Sequence, residues 1–362
     1  MSSTFDKYNN NFSKYLDLSS DNSFLYIGLF IITLLLLIYI LNNIYYNYNK
    51  SLFSFLNFKK LYPFSPTLIS VVDNPNYHTY GLRSFFIKTA YNCCSTNNFK
   101  DGEINLDALK LCISQGVRCL DFEIDSLNNN PVVTITNANP TSNSNANSTT
   151  NSTANANKNI ETYNTLPIES VLTTITELAF SSGSCSNFND PIILHFRIMN
   201  KIAKMYNNFA KIISNLQQFH SLLLGKEYSH EYHGKNLGAV PIINFKRKII
   251  IVIHGVDTFY QSTALDEYIN MASGQAFLHL IRYNDLKYNQ DTKLTEFNKK
   301  NMSIVLPNQK GKLENPSFNL SREYGCQFIG MSFPNNDINL QQYNLFFNNH
   351  RFAFVLKPKA LR

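Results

Sequence analysis

From residue 85 onward, the chain alternates between short β-branched or aromatic runs and segments with the apolar spacing of helices. The predicted strands lie at 85–90, 117–124, 131–135, 191–198, 248–254, 277–283, 302–307, 326–333 and 352–356. The predicted helices cover 105–114, 169–180, 199–223, 264–272 and 340–349. Strand and helix repeated about eight times are typical of an α/β protein with a (β/α)8 TIM-like barrel. A doubly wound open sheet is the alternative, and neither GxGxxG nor GxxxxGK[ST] is present to support it.

A second feature is the uncharged apolar run FLYIGLFIITLLLLIYIL at residues 24–41. About 17–25 such residues are needed to cross a bilayer as a helix, and the polar residues that follow lack the cleavage pattern of a signal peptide. We therefore expect an uncleaved, single-pass transmembrane anchor, with a buried core helix as the alternative. The anchor separates a polar tail (1–23) from a linker (42–80), and the barrel is predicted to occupy 81–362.

Charge and cysteine content bear on partners and location. The formal net charge is +7, from 32 Lys and Arg against 25 Asp and Glu, without a dense basic block. This argues against a nucleic-acid partner and favours a mild attraction to anionic membrane lipids. More lysines follow the apolar run (Lys50, Lys59 and Lys60) than precede it (Lys7 and Lys14), which favours a barrel on the cytoplasmic side. The six cysteines form no CxxC, and we expect buried, reduced thiols.

One segment interrupts the alternation of strands and helices. Residues 137–159 consist almost entirely of Asn, Ser, Thr and Ala, which cannot bury enough apolar surface to become ordered. We interpret this segment as a disordered insertion in a loop of the barrel. Its sequons at Asn147 and Asn151 are expected to carry glycans only if the domain faces a lumen.

Two pairs of motifs resemble the phosphoinositide-specific phospholipases C. QGVRCLDFEI (115–124) with PVV (131–133) resembles the X region of that family. YGCQFIGMSF (324–333) with FAFVLKPKALR (352–362) resembles the end of its Y region. The resemblance implies a barrel of the PLC-like phosphodiesterase type, which is the fold of a phosphoric diester hydrolase. A weaker similarity to phospholipase-C-like proteins of large DNA viruses suits the composition, which looks A/T-biased.

The resemblance also implies a site made of two catalytic histidines and a calcium ion held by an asparagine and three acids. Asn92 aligns with the calcium-binding asparagine, and Asp121 and Glu123 align with two of the acids. The first histidine is replaced by Tyr91 and the second by Ile135. A phenol with a pKa near 10 is a poor base at neutral pH, and an isoleucine transfers no proton.

The third acid of the family aligns with Arg197, a cation that would repel calcium. We expect Arg197 to pair with Asp121 or Glu123 and we expect no cofactor. Calcium would be required only if the protein is active. Arg118 is an alternative partner for the two acids. His254 and His195 remain candidates for substrate binding, with a structural histidine as the alternative for each.

The sequence is compatible with three functions. Loss of both histidines favours a catalytically degenerate barrel that serves as a binding or structural module at a membrane. An active diester hydrolase with an altered site, acting on phospholipid head groups and using Asp121, Glu123, His195 or His254, is the second possibility. His78 is a candidate for a displaced catalytic histidine. A lectin-like or assembly protein is the third.

Overall fold

The computed structural model describes residues 20–97, 102–135, 162, 164–255, 257–288, 293–308 and 313–362. The chain divides into two compact units, Met1–Phe53 and Ser54–Arg362. The predicted insertion at 137–159 and most of the predicted polar tail lie outside the described residues.

A single long helix, α1 (Ser20–Lys60), contains the predicted apolar run. Its segment Leu25–Tyr45 has a mean hydropathy of 2.5, and none of this segment is buried. By length and composition the segment can cross a membrane, since a helix satisfies its own backbone groups in lipid. The helix continues to Lys60, well into the region 42–80 that the sequence predicts as a linker, and the second unit begins before the helix ends.

The second unit is built on one sheet, and its strands match most of the predicted positions. The strands are β1 (Phe85–Ala90), β2 (Cys119–Leu127), β3 (Asn130–Val133), β4 (Leu166–Pro167), β5 (Ile192–Ile198), β6 (Ile249–His254), β7 (Met271–Ala272), β8 (Leu278–Arg282), β9 (Met302–Leu306), β10 (Phe328–Met331) and β11 (Phe354–Leu356). Eight of them are parallel neighbours in the order β7-β6-β5-β2-β1-β10-β9-β8. This nearly closed parallel barrel confirms the predicted fold class and excludes a doubly wound sheet, because sequential neighbours run around the whole path.

Three strands outside the parallel barrel differ from the simplest interpretation of the sequence. Strand β3 pairs antiparallel with β2, β4 pairs with β3, and β11 pairs antiparallel with β1. Two of the predicted strands, 131–135 and 352–356, therefore extend the barrel sheet rather than form its wall. The missing wall strand is β7, which lies at the end of the predicted helix 264–272. That prediction was wrong because β7 has only two residues and follows a 3₁₀ turn at Ala264–Tyr268.

The helices occupy most of the predicted intervals. The right-handed α-helices after α1 are α2 (Leu106–Ser114), α3 (Ile168–Leu178), α4 (Ala203–Asn215), α5 (Gln217–Leu222), α6 (Tyr283–Tyr288), α7 (Lys293–Lys300), α8 (Phe318–Glu323) and α9 (Ile338–His350). A further short segment, Ser229–Gly234, has left-handed backbone angles at His230 to His233. The single helix predicted at 199–223 is two helices, because Leu216 between them leaves helical geometry with ψ at 80°.

Alternate residues of β2 and β5 face opposite sides of the sheet, as the strand period of two requires. Phe122 and Phe196 belong to the apolar cluster shared with the helices, and their rings stack with centroids 5.5 Å apart. Cys119 and Ile193 belong to a second apolar cluster, which fills the interior of the barrel. The residues two and four positions further along also face the interior. They are Asp121 and Glu123 on β2, and His195 and Arg197 on β5.

Those interior positions carry the candidate site. The register places Asp121 beside His195, and Glu123 beside Arg197. On the next strand, Arg197 lies beside His254. The interior is thus apolar toward the strand starts and polar toward the carboxyl ends of the strands, which we term the mouth. Active sites of barrels of this type lie at this end.

Candidate functional site

The mouth brings together residues from six of the eight wall strands or the residues directly after them. The sequence-predicted members are Tyr91, Asn92, Asp121, Glu123, His195, Arg197 and His254, and the structure adds Ser273 and Arg282. Parallel strands end at one edge, so side chains distant in sequence meet there.

Arg197 is the centre of this group and is 1% exposed. Its Nε and Nη2 donate hydrogen bonds to Oδ1 and Oδ2 of Asp121 at 2.9 and 3.1 Å. Its Nη1 donates to Oε2 of Glu123 at 2.8 Å, and Nη2 also donates to Oδ1 of Asn92 at 2.6 Å. The guanidinium therefore contacts all three residues that the family resemblance assigns to calcium.

The protonation states follow from these contacts. Burial acts to raise the pKa of Asp121, but the adjacent Arg197 and the hydrogen bond from His195 outweigh it and hold that pKa well below its usual value. Burial acts to lower the pKa of Arg197, and Asp121, Tyr91 and Glu123 raise it far above its ordinary value. Asp121 and Arg197 therefore form an ion pair in which both groups stay charged at physiological pH.

A calcium ion does not fit among these side chains as they are arranged. Calcium takes about six to eight oxygen ligands at roughly 2.3–2.6 Å. The oxygens available from Asn92, Asp121 and Glu123 surround guanidinium nitrogens instead, and Arg197 supplies a positive charge where the ion would sit. In the described part of the chain, no group of three or more His, Cys, Asp or Glu side chains is arranged to hold a metal ion.

His195 is fully buried and bridges two polar groups. Its Nδ1 lies 2.7 Å from Oδ1 of Asp121, and its Nε2 lies 2.8 Å from Oγ of Ser273, the residue directly after β7. Burial lowers the pKa of His195, although Asp121 acts in the opposite direction. The imidazole is therefore neutral at physiological pH.

Tyr91 and Asn92 follow β1 directly. The Arg197 guanidinium lies over the Tyr91 ring, 4.8 Å from its centroid. Burial raises the pKa of Tyr91, so the phenol stays protonated and does not act as a base at neutral pH. Asn92 has φ at 44°, a left-handed conformation that asparagine tolerates better than most residues. Its amide Nδ2 is buried and finds no hydrogen-bond partner within the described residues.

His254 and Arg282 complete the mouth at the ends of β6 and β8. Nδ1 of His254 donates to the carbonyl of Ser273 at 3.0 Å. Burial lowers the pKa of His254 to about 4, so its Nε2 is an acceptor at neutral pH. Arg282 lies close enough to Tyr91 and Arg197 for both to act on its pKa, which burial lowers, and Nη1 donates to Pro307 O at 3.0 Å.

The barrel is similar to solved phospholipase C structures. PLC21 of L. pealei matches with a TM-score of 0.58 and 16% identity, over 79% of this chain and 38% of that chain. PLC21 of S. officinalis gives the same values. A calcium-dependent phosphoinositol-specific phospholipase C from Pseudomonas sp. matches with a TM-score of 0.47 and 10% identity, over 81% and 99%. The matches to the two PLC21 structures show that the barrel has the phospholipase C fold.

This likeness is one of fold. The chain spans 38% of the length of the two PLC21 proteins, and identities of this size carry no information on activity. No protein-family model matches the chain. No curated protein sequence matches it either. The similarity to viral phospholipase-C-like proteins stays a prediction.

Several motif residues of the phospholipase C barrel have structural roles. Arg118 is fully buried and donates to Ala179 O at 2.8 Å and Asn187 Oδ1 at 3.0 Å, so the acids pair with Arg197 and not with Arg118. His78 contacts Val72 O at 2.8 Å in the segment before β1, at the opposite end of the barrel from the mouth. The proposal of a displaced catalytic His78 was therefore wrong.

Ile135 is the one predicted site position that contributes no polar group. It is buried in the apolar cluster beneath the helices, two residues beyond β3. The backbone N–H of the preceding Thr134 donates to Glu123 O at 3.0 Å, which keeps this segment beside the site. A side chain without a proton donor thus stands at this family position.

Ser273 and Arg282 were not identified from the sequence. Ser273 follows a two-residue strand that carries no recognisable periodicity. Arg282 ends a strand whose outer and inner faces both carry polar residues, so the sequence does not indicate which face meets the barrel interior. The register of β8 against β9 shows which face of β8 is turned toward the barrel interior.

Proposed function

We propose that this protein is a membrane-associated phospholipase C barrel that has lost the calcium-dependent diesterase reaction and binds phosphorylated lipid head groups. The observation that carries the proposal is the guanidinium of Arg197 among Asn92, Asp121 and Glu123. A fixed internal cation takes the place of an exchangeable one. Binding at the mouth is then independent of calcium.

Loss of the family reaction is supported by the groups at the two histidine positions. Tyr91 holds its proton at neutral pH, because burial raises its pKa. Ile135 lies in the apolar cluster. General acid–base catalysis contributes roughly 10²–10⁴-fold for each positioned group, so the loss of both would abolish turnover by that route.

A phosphorylated ligand is supported by the donors that remain at the mouth. Arg282 carries a partly desolvated guanidinium, and such a group recognises phosphate oxygens strongly. The buried Nδ2 of Asn92 is a second donor that a bound oxygen atom would satisfy. His254 is neutral at pH 7, so it would accept a hydrogen bond from a ligand hydroxyl rather than pair with an anion.

A lipid source for this phosphate is supported by the apolar segment Leu25–Tyr45, which we propose as the transmembrane anchor. The barrel unit starts at Ser54, whose Oγ lies 2.8 Å from Oγ1 of Thr96, in the loop after β1 at the mouth. Tethering supplies a high local concentration of lipid without a separate recognition domain. We propose a barrel on the cytoplasmic side, where its six buried free thiols would persist.

The test uses the full chain in lipid nanodiscs and measures binding of inositol phosphates by calorimetry, with calcium and with EGTA. We expect equal affinity in both buffers. Arg282→Gln should weaken binding about 10-fold or more, since a charge-assisted phosphate contact is lost. Arg247→Gln is the matched control, because this exposed arginine lies just before β6 at the opposite end of the barrel.

Two results would contradict the proposal. Calcium-dependent release of phosphorylated head groups from mixed-lipid vesicles, abolished by Asp121→Ala, would establish the family reaction and an active diester hydrolase. Failure of a folded protein to bind inositol phosphates in either buffer would exclude the binding role.

A further inference from the structure

A second chemistry is arranged on the same strands and uses neither calcium nor the two family histidine positions. Asp121, His195 and Ser273 form a continuous hydrogen-bonded series from β2 through β5 to the end of β7. The distances are 2.7 Å from Asp121 Oδ1 to His195 Nδ1 and 2.8 Å from His195 Nε2 to Ser273 Oγ. This is the arrangement of a nucleophile, a base and a group that orients the base.

The positions of the protons follow from the charges around the series. Asp121 is ionised beside Arg197, so it only accepts hydrogen bonds, and Nδ1 of His195 must carry the proton between them. A neutral imidazole has one proton, which leaves Nε2 as the acceptor. The Ser273 hydroxyl therefore donates to His195 Nε2, which lies 2.8 Å from it. The carbonyl of Ile253, its other acceptor, lies farther away at 3.4 Å.

We infer that Ser273 is a nucleophile for a phosphodiester bound at the mouth, with His195 as its base. Ser273 Oγ attacks phosphorus while its proton passes to His195 Nε2. The bond from phosphorus to the leaving alkoxide breaks, and that oxygen takes the proton from His195. Water then attacks the phosphoserine diester, gives its proton to His195, and releases a phosphomonoester as Ser273 regains its hydrogen.

The surrounding residues favour a phosphodiester over a neutral carboxylic ester. Arg282 stands near the site, and the Asn92 amide leaves an unused donor for an oxygen of the phosphorus centre. This substrate class rests on the proposed function, since the phosphate must enter the mouth. The reactivity of Ser273 itself does not, because a small electrophile needs no lipid recognition.

The test treats the full chain in nanodiscs with a fluorophosphonate probe, whose fluoride leaves when serine oxygen bonds to phosphorus, and locates the adduct by mass spectrometry. We expect one adduct, on Ser273, and none in Ser273→Ala. His195→Gln should slow labelling by roughly 100-fold through loss of the base. Ser332→Ala is the matched control, because Ser332 follows β10 directly at the same end and is 4% exposed, as Ser273 is.

Labelling of Ser273 at the wild-type rate in folded His195→Gln would overturn the assignment of the base. Absence of an adduct on Ser273 in the folded wild-type chain would overturn the nucleophile, whatever the variants do. Inositol phosphate binding without an adduct would leave the binding function standing alone. An adduct without inositol phosphate binding would contradict the proposed function and not the nucleophile.

Discussion

Arg197 and Asp121 form a bidentate, fully buried ion pair, with Nε to Oδ1 at 2.9 Å and Nη2 to Oδ2 at 3.1 Å. The same guanidinium reaches Glu123 at 2.8 Å. One positive charge therefore holds two carboxylates on β2 that would otherwise repel each other inside the barrel. This pairing connects the fold with the chemistry of the site, because it fixes the protonation of Asp121 and through it the tautomer of His195.

Removal of the internal cation should destabilise the barrel severely. Arg197→Met leaves Asp121 and Glu123 buried without a partner, and breaking a buried pair in this way costs about 3–5 kcal/mol. Urea denaturation of the full chain in detergent micelles measures the change. Arg247→Met is the control, an exposed arginine whose loss should change the unfolding free energy by less than about 1 kcal/mol. Equal stability of the two variants would contradict the pairing.

His254 should make the barrel less stable in mild acid. Burial lowers its pKa from 6.5 to about 4, so between these values the unfolded chain binds more protons than the folded one. The unfolding free energy contributed by this group therefore rises as pH increases from 4 to 6.5, by at most about 1.4 kcal/mol per pH unit. His254→Gln should make that part of the stability profile less steep, and the fully buried His195 contributes in the same direction. An unchanged slope would show that His254 titrates normally.

Lys88 should act in the alkaline range. It is fully buried on β1, its Nζ donates to Gln115 O at 2.8 Å, and burial lowers its pKa to about 7. Unfolded lysine holds its proton to a higher pH, so the contribution of Lys88 to the unfolding free energy should rise between pH 7 and 10. Lys88→Met should remove this contribution and make the alkaline slope less positive, while Lys357, whose pKa burial also lowers to about 7, still contributes in the same direction.

The exposed Lys211 on α4 provides the control for that experiment. Lys211→Met removes a solvated lysine and should leave the alkaline slope as it is in the wild type. A Lys88→Met slope equal to the wild-type slope would contradict burial of the charge.

The sequence was most informative where one strand face had to be buried. The run FFIKTA predicted β1 at its observed bounds, and PIILHFRI predicted β5 to within one residue. The acids on β2 and Arg197 on β5 have matching alternation, and their expected pairing is the observed one. Local pattern and motif resemblance were sufficient for this part because each strand is long enough to show its period.

The rest of the site depends on contacts that no local pattern records. His195 and Ser273 meet although 78 positions separate them, and β7, which positions Ser273, is too short to show a strand period. The protonation of His254 depends on burial and on neighbours from other strands. Such features arise when the barrel closes, and a single sequence does not indicate them.

Replacement of calcium by Arg197 is tested most directly by thermal melting of the full chain in nanodiscs with calcium and with EGTA. A bound ion stabilises the folded state in proportion to its affinity, so the wild type should melt at the same temperature in both buffers. Arg197→Glu would place three acids beside Asn92, melt lower in EGTA, and regain stability with about 1 mM calcium. A calcium-induced rise in the wild-type melting temperature that Asp121→Asn removes would contradict the account, whether or not the Arg197→Glu variant folds.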